Sequence, residues 1–156
     1  MADIVDTATR SRMMAGIKGK NTRPEIVIRQ GLHRKGYRFR LHRADLPGKP
    51  DLVFPSRHAV IMVHGCFWHQ HDCHLFKWPS SRREFWRSKI TRNRQKDAET
   101  ESALLRKAWR VLTVWECALK GRTRPPMEQV INQCAAWLDG GAWRAEISGN
   151  NQASAR

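Results

Sequence analysis

From Thr22 onward the apolar positions fall into a series of readable periods. Ile26, Ile28 and Leu32 recur behind Thr22-Arg23-Pro24-Glu25. Thr22 stands where an N-cap is needed and Glu25 at the capping-box position, so a helix is predicted that Gly36 ends. Tyr37-Arg38-Phe39-Arg40-Leu41 switches to alternation of apolar and polar side chains, as a half-buried strand does, and Leu46-Pro47-Gly48-Lys49-Pro50 supplies a turn. Two short runs rich in β-branched residues follow, Asp51-Leu52-Val53-Phe54 and Ala59-Val60-Ile61-Met62-Val63, and read as central strands around a polar turn at 55–58. Residues 80–105 carry helix formers and predict two helices or one broken one. Val111-Leu112-Thr113-Val114-Trp115 predicts a fourth strand. Residues 126–138 then set Val130, Cys134, Ala135 and Leu138 on one helical stripe, which makes Cys134 a small core residue. The order is helix, three strands, helical stretch, strand, helix, an α/β layout with a mixed central sheet flanked by helices. Three segments are expected: a basic arm or short helix over 1–21, one domain over 22–139, and a flexible Gly-, Asn- and Ser-rich tail over 140–156.

Charge narrows the class of partner. The chain has 156 residues, enough for one hydrophobic core, and its 29 Lys and Arg against 14 Asp and Glu give a formal net charge of +15. A balance of that sign and size favours a polyanion, with nucleic acid ahead of an anionic membrane surface. No run approaches the roughly 18 consecutive apolar residues of a spanning helix. MADIVDTATR lacks the positive flank and apolar run of a secretory signal, so a reducing cytoplasm is expected and the four cysteines are read as thiols or metal ligands.

The densest chemistry lies at 64–74, where His64-Gly65-Cys66-Phe67-Trp68-His69-Gln70-His71-Asp72-Cys73-His74 packs four histidines and two cysteines into eleven residues behind a predicted strand. A structural Zn²⁺ takes four thiolate or imidazole ligands in a tetrahedron. Cys66, His71 and Cys73 offer three, and Cys117, just past the 111–115 strand, would be carried alongside the loop as the fourth. His69 or His74 could stand in for His71, and buried ordinary thiols are the alternative to any metal. His64 and His69 are then free to carry protons near neutrality. Pro50-Asp51 places a carboxylate at a sheet edge where Mg²⁺ could bind through oxygen, although an Asp that merely closes the Pro-Gly turn reads the same way.

Pro50-Asp51, the apolar strand running into His64-Gly65-Cys66-Phe67-Trp68-His69-x-His71-x-Cys73, Glu84-Phe85-Trp86 and Trp115-Glu116-Cys117-Ala118-Leu119 resemble, in that order, the very short patch repair (Vsr) DNA mismatch endonucleases. Arg10-Ser11, Leu46-Pro47-Gly48, Asn93 and Gly121-Arg122 extend the resemblance from about residue 5 to about residue 122. It implies a restriction-endonuclease-like (PD-(D/E)XK-type) core with a structural zinc site, and an activity that nicks one DNA strand 5′ of the T in a T·G mismatch left by deamination of 5-methylcytosine. It implies Mg²⁺ held by Asp51 and the main-chain carbonyl of Val63, where the family pattern has Thr; a carbonyl ligand survives that change and a hydroxyl does not. A typical nuclease of this fold carries Glu and Lys on the strand at 59–63, and this chain has neither, so histidine must do that work. His69 is implied as general base or acid, His64 as a supporting phosphate or metal-water contact, and Glu25 as a holder of metal waters or simply a helix cap.

Phe67, Trp68 and Trp86 are implied as a wedge that enters the base stack beside the mismatch, and Met14 as an insertion from the other groove. Lys89 and Asn93 would contact phosphates or bases, or belong to a solvated basic face. Asp97 could orient His69, but on so charged a helix a solvated Asp is the expectation. An asymmetric mismatch suits a monomer, and coupling to mismatch-repair and nick-processing proteins rests on the family alone. A non-catalytic zinc DNA-binding module and a general double-strand nuclease are the competing readings, and a protein adaptor would not need +15.

Overall fold

The computed structural model describes residues 21–150. Its first helix, α1, runs Arg23–Arg34 behind Thr22, whose side chain accepts from the Glu25 N–H. Glu25 answers by accepting from the main-chain N–H of Asn21 at 3.0 Å and from the Thr22 hydroxyl at 3.2 Å. The predicted cap is therefore present, with the reciprocal bond displaced by one residue.

The strands are β1 (Arg40–Leu41), β2 (Leu52–Phe54), β3 (Ala59–His64), β4 (Arg110–Trp115) and β5 (Arg144–Ile147), ordered β1-β2-β3-β4-β5 in one sheet. β1, β2 and β3 pair antiparallel and β3, β4 and β5 parallel, so the sheet is mixed. Between β3 and β4 lies α2 (Arg83–Arg106), and between β4 and β5 lies α3 (Met127–Asp139). Alternation divides the sheet into two faces. Leu52, Phe54, Ala59, Ile61, Leu112 and Val114 meet Ile28 and Leu32 of α1 and Val130, Cys134 and Leu138 of α3. Val53, Val60 and Val111 turn the other way, toward Leu104 of α2 and Trp109. The two faces make a three-layer α/β stack, the arrangement a sheet buried on both sides requires. Gly31 permits the close approach of α1 to α3, since a Cβ there would sit 2.5 Å from Ile131 Cδ1.

Three expectations are corrected. The strand expected at 37–41 shrinks to two residues because its partner β2 is only three long, bounded by Pro50 and Pro55, neither of which can donate to a ladder. The alternation is still used: Phe39 packs on Phe54 at 5.6 Å and the Tyr37 hydroxyl donates to Asp139 at 2.9 Å. The helical stretch is one unbroken helix of 24 residues, consistent with the lack of Gly or Pro between Arg83 and Arg106. The expected flexible tail from 140 is also corrected, because Arg144–Ile147 form β5 beside Val111–Val114 and Ile147 is buried. Its four-residue alternation is hidden in a Gly-, Asn- and Ser-rich setting. The basic arm lies outside the described residues apart from Asn21.

Candidate active site and metal centre

β3 ends at His64 and β4 at Trp115, in register with each other, so the loops that leave the two strands start side by side. That adjacency brings Cys117 to the 64–74 loop. The donor atoms of Cys66, His71, Cys73 and Cys117 lie within 4.8 Å of one another. His71 Nδ1 is 3.5 Å from Cys66 Sγ and 3.6 Å from Cys117 Sγ. Zinc-like bonds in a tetrahedron would put sulfur and nitrogen about 3.6 Å apart, so the four residues fit such an ion. Cys117 is drawn down to about 4 by its contact with Cys66, with help from His71 and the Gly149 N–H, while the Cys66 thiol is pushed up by the same contact and by burial. A shared proton between two buried sulfurs is what a cation would displace. His71 stacks on Trp115 at 4.1 Å, and Glu116 accepts from the Cys66 N–H at 3.1 Å. His74 stays outside the set, packed on Gly121 with neither ring nitrogen hydrogen-bonded, and His69 is engaged elsewhere.

His64 and His69 stack face to face at 3.9 Å, with Trp115 edge-on to both. His69 Nδ1 lies in a short contact with Asp97 Oδ2, which corrects the expectation of a solvated Asp97. The signal was in the sequence: Trp86, Ile90, Asn93 and Asp97 fall at one helical stripe, and Asn93 donates to the Trp68 carbonyl at 3.0 Å from that same face. Burial, aided by His69, pushes His64 down to about 3, so it stands neutral beside its neighbour. Its Nδ1 is buried without a hydrogen-bond partner.

Asp51 immediately precedes β2 and its Oδ2 accepts from the Val63 N–H at 2.7 Å. Burial raises it to about 7, with Glu25 adding to the shift and the Val63 N–H opposing it. Glu25 is 3% exposed and serves at once as cap and as neighbour of Asp51. Between the two carboxylates stands His42, a residue that sequence reasoning passed over; its Nε2 lies 2.9 Å from Glu25 Oε1 and 3.7 Å from Asp51 Oδ1. The hairpin register would have pointed to it, since Arg40 pairs Val53 and Leu41 pairs Leu52, which sets His42 opposite Asp51.

One open cleft of about 1360 Å³ is lined by Glu25, His42, Asp51, Val63, His64, His69, Phe67, Trp68, Lys89 and Asn93. Phe67, Trp68 and Trp86 form a ring triangle at 5.2, 5.4 and 5.7 Å. The structure thus gathers the candidate residues of the loop, of Pro50-Asp51 and of the helix into one region; Met14 lies outside the described residues.

A family profile described as DNA mismatch endonuclease Vsr matches residues 2–75. The chain is 44% identical over 147 residues to the DNA mismatch endonuclease Vsr of Escherichia coli K12, covering 94% of each. It is 51% identical over 119 residues to the type II nicking enzyme V.XorIIP of Xanthomonas oryzae pv. oryzae, 76% of this chain and 88% of that one. The chain belongs to the Vsr family of DNA mismatch endonucleases. A third relative, the type II nicking enzyme V.NmeAIP of Neisseria meningitidis serogroup A, is 39% identical over 122 residues, 78% of this chain and 87% of its own. As a Vsr-family member the chain is a DNA endonuclease, a hydrolase whose partner is DNA. Among the described residues no helix is long and apolar enough to cross a membrane.

Two further residues of this Vsr-family site carried no obvious signal. Gly149 donates its N–H to Cys117 Sγ at 3.2 Å, from the segment expected to be a loose tail. A Cβ at Gly149 would lie 2.7 Å from the Cys117 carbonyl. Glu146 accepts from Trp115 Nε1 at 2.9 Å and so steadies the indole that supports three histidine rings.

Proposed function

We propose that this chain nicks one strand of duplex DNA on the 5′ side of the T in a T·G mismatch, by Mg²⁺-dependent phosphodiester hydrolysis on a restriction-endonuclease-like core. The observation that carries the reading is the cleft itself, which is faced by Asp51 and Glu25, by the His64–His69–Asp97 group, and by Phe67 and Trp68.

Hydrolysis of a phosphodiester asks the protein to align a water, move one proton and offset charge on the phosphate and leaving oxygen. Contact of His69 Nδ1 with Asp97 fixes the ring and leaves Nε2 for the proton, as the carboxylate of a triad does for its histidine. His64, held neutral, adds no positive charge that would discourage His69 from accepting it. Asp51 would supply Oδ1 to a cation, because the Val63 N–H occupies Oδ2. An extended residue sends its N–H and C=O to the same side, so the Val63 carbonyl leaves toward Asp51 as well, and its role does not need the missing Thr hydroxyl. Mg²⁺ bound there would neutralise charge on the phosphate and on the departing oxygen. Cys66, His71, Cys73 and Cys117 would hold Zn²⁺ as a structural ion, which would shape the loop bearing His64 and His69. Phe67, Trp68 and Trp86 offer an aromatic face for unstacking the mismatched step, which costs less to open than a paired one. Lys89 and Asn93 line the cleft, which supports a role for them against the DNA backbone.

Asp51→Asn separates catalysis from binding. The reading predicts that this variant binds a T·G duplex about as tightly as the parent and nicks it at least about 100-fold more slowly, while His69→Ala loses roughly 10²–10⁴-fold. Nicking at the parent rate by Asp51→Asn would refute the assignment, and binding without cleavage by the parent chain itself would leave a zinc DNA-binding module.

A further inference from the structure

The Glu25, His42 and Asp51 side chains bring one nitrogen and two carboxylate donors within 4.8 Å of one another. His42 is fixed there by its backbone, whose N–H donates to the Asp51 carbonyl at 3.3 Å just beyond the Leu41–Leu52 pair. Its φ of 48° lies in the left-handed region that non-glycine residues rarely occupy. Outliers of that kind concentrate at ligand sites, where surrounding structure holds them in place. The three side chains are only 4–18% exposed, yet all line the open cleft. Asp51 Oδ1, the oxygen not taken by Val63, is the one nearest His42. In a six-coordinate ion with bonds of about 2.1 Å, adjacent donors stand about 3.0 Å apart and opposite ones about 4.2 Å. The 2.9 Å from His42 to Glu25 and the 3.7 Å to Asp51 fall within that span.

We infer that His42 is a third side-chain ligand of the divalent cation at Asp51, through Nε2, so that the centre is a mixed nitrogen and oxygen site built from Glu25, His42 and Asp51. The inference rests on the reading of Asp51 as a cation ligand. It has a chemical consequence. Mg²⁺ prefers an all-oxygen shell, whereas imidazole suits the first-row ions, so this centre gains affinity for Mn²⁺ over Mg²⁺ from His42. The competing role for His42 is a hydrogen-bonded strut that ties Glu25 of α1 to the β1–β2 hairpin without touching the ion.

The test uses the zinc-loaded full chain with Mn²⁺ as the probe. Mn²⁺ binding is followed by electron paramagnetic resonance, and the bound ion is examined by electron spin echo envelope modulation for ¹⁴N coupling. The parent chain is expected to show ¹⁴N modulation that His64→Gln and His69→Gln retain and His42→Gln loses. Mn²⁺ affinity is expected to fall on the order of tenfold or more in His42→Gln, with Mg²⁺ affinity, read by competition, changing far less. Retention of the modulation in a His64→Gln/His69→Gln double variant carries the assignment even if His42→Gln proves poorly folded, because His42 is then the one imidazole left among the described residues lining the cleft. Asp51-dependent Mn²⁺ binding with no ¹⁴N modulation, or with modulation unchanged in His42→Gln, overturns the inference alone. Mn²⁺ binding indifferent to Asp51→Asn overturns the reading of Asp51 and this inference with it.

Discussion

At His69 the account depends on which ring nitrogen is free. Asp97 engages Nδ1, so Nε2 is left to meet the water or the leaving oxygen. Asp97→Asn should keep the ring in place while weakening its hold on a developing imidazolium, and nicking should fall roughly 10- to 100-fold with DNA affinity unchanged. Single-turnover rates on a saturated substrate check this, and recovery in Asp97→Glu would show that the carboxylate matters; an unchanged rate in Asp97→Asn would return Asp97 to the solvated role. Cys117 makes the second prediction at this scale. Its Sγ receives the Gly149 N–H and lies 3.6 Å from His71, so Cys117→Ser should leave purified protein substoichiometric in zinc by elemental analysis. A full complement of zinc in that variant would contradict the four-donor set. Much of this was legible: the density of histidine and cysteine at 64–74 pointed to a candidate metal loop, and a strand end carried Cys117 to it. Asp97 was legible only as a possible partner of His69 on a helical stripe, and His42 was not legible at all, because each acquires its neighbour only when two elements dock, α2 against the 64–74 loop and the hairpin against α1.

Among the elements, α1 and α3 could be read from the period of one buried stripe, and β2, β3 and β4 from short apolar runs buried on both faces. β5 could not, since four residues bounded by Gly141 and Gly149 carry little periodic signal and its stability comes from the β4 edge it covers. Deleting residues 140–156 should therefore destabilise the protein and loosen zinc as well, since it removes Ile147 from the core and Gly149 from Cys117. A melt and a zinc-chelator titration on the truncated chain measure both; a truncation with the parent's melting temperature and zinc affinity would mean the segment is dispensable. α3 is held at its C-terminus by Arg110, which donates to the Trp137 carbonyl at 3.0 Å and the Leu138 carbonyl at 2.9 Å and lies over the Trp137 ring. Losing these bonds in Arg110→Met should cost about 1–3 kcal/mol in urea denaturation, as expected for hydrogen bonds from a charged donor to helix-end carbonyls that would keep only the Gly140 N–H at 3.2 Å and Arg57 at 3.5 Å.

For the whole molecule the decisive quantities are charge and the placement of one cleft. A net charge of +15 predicts strongly salt-dependent association with DNA, weakening on the order of 10³-fold or more between 50 and 200 mM salt if six or more phosphates are contacted. That term is blind to sequence, so the proposed function assigns selectivity to the cleft, where Phe67 and Trp68 line the walls together with Asp51 and His69. The α/β order and the basic charge were plain from the sequence, whereas the meeting of carboxylates, histidines and rings in one cavity is a property of the fold. The most direct test of the account is a strand-resolved cleavage assay with Mg²⁺ on end-labelled duplexes carrying one T·G pair in randomised flanks, CT(A/T)GG included, beside fully matched duplexes. The account predicts a single nick on the T-bearing strand, 5′ to the T, absent from the matched duplexes and from Asp51→Asn. Equal cleavage of matched and mismatched DNA, or breaks in both strands, would contradict it.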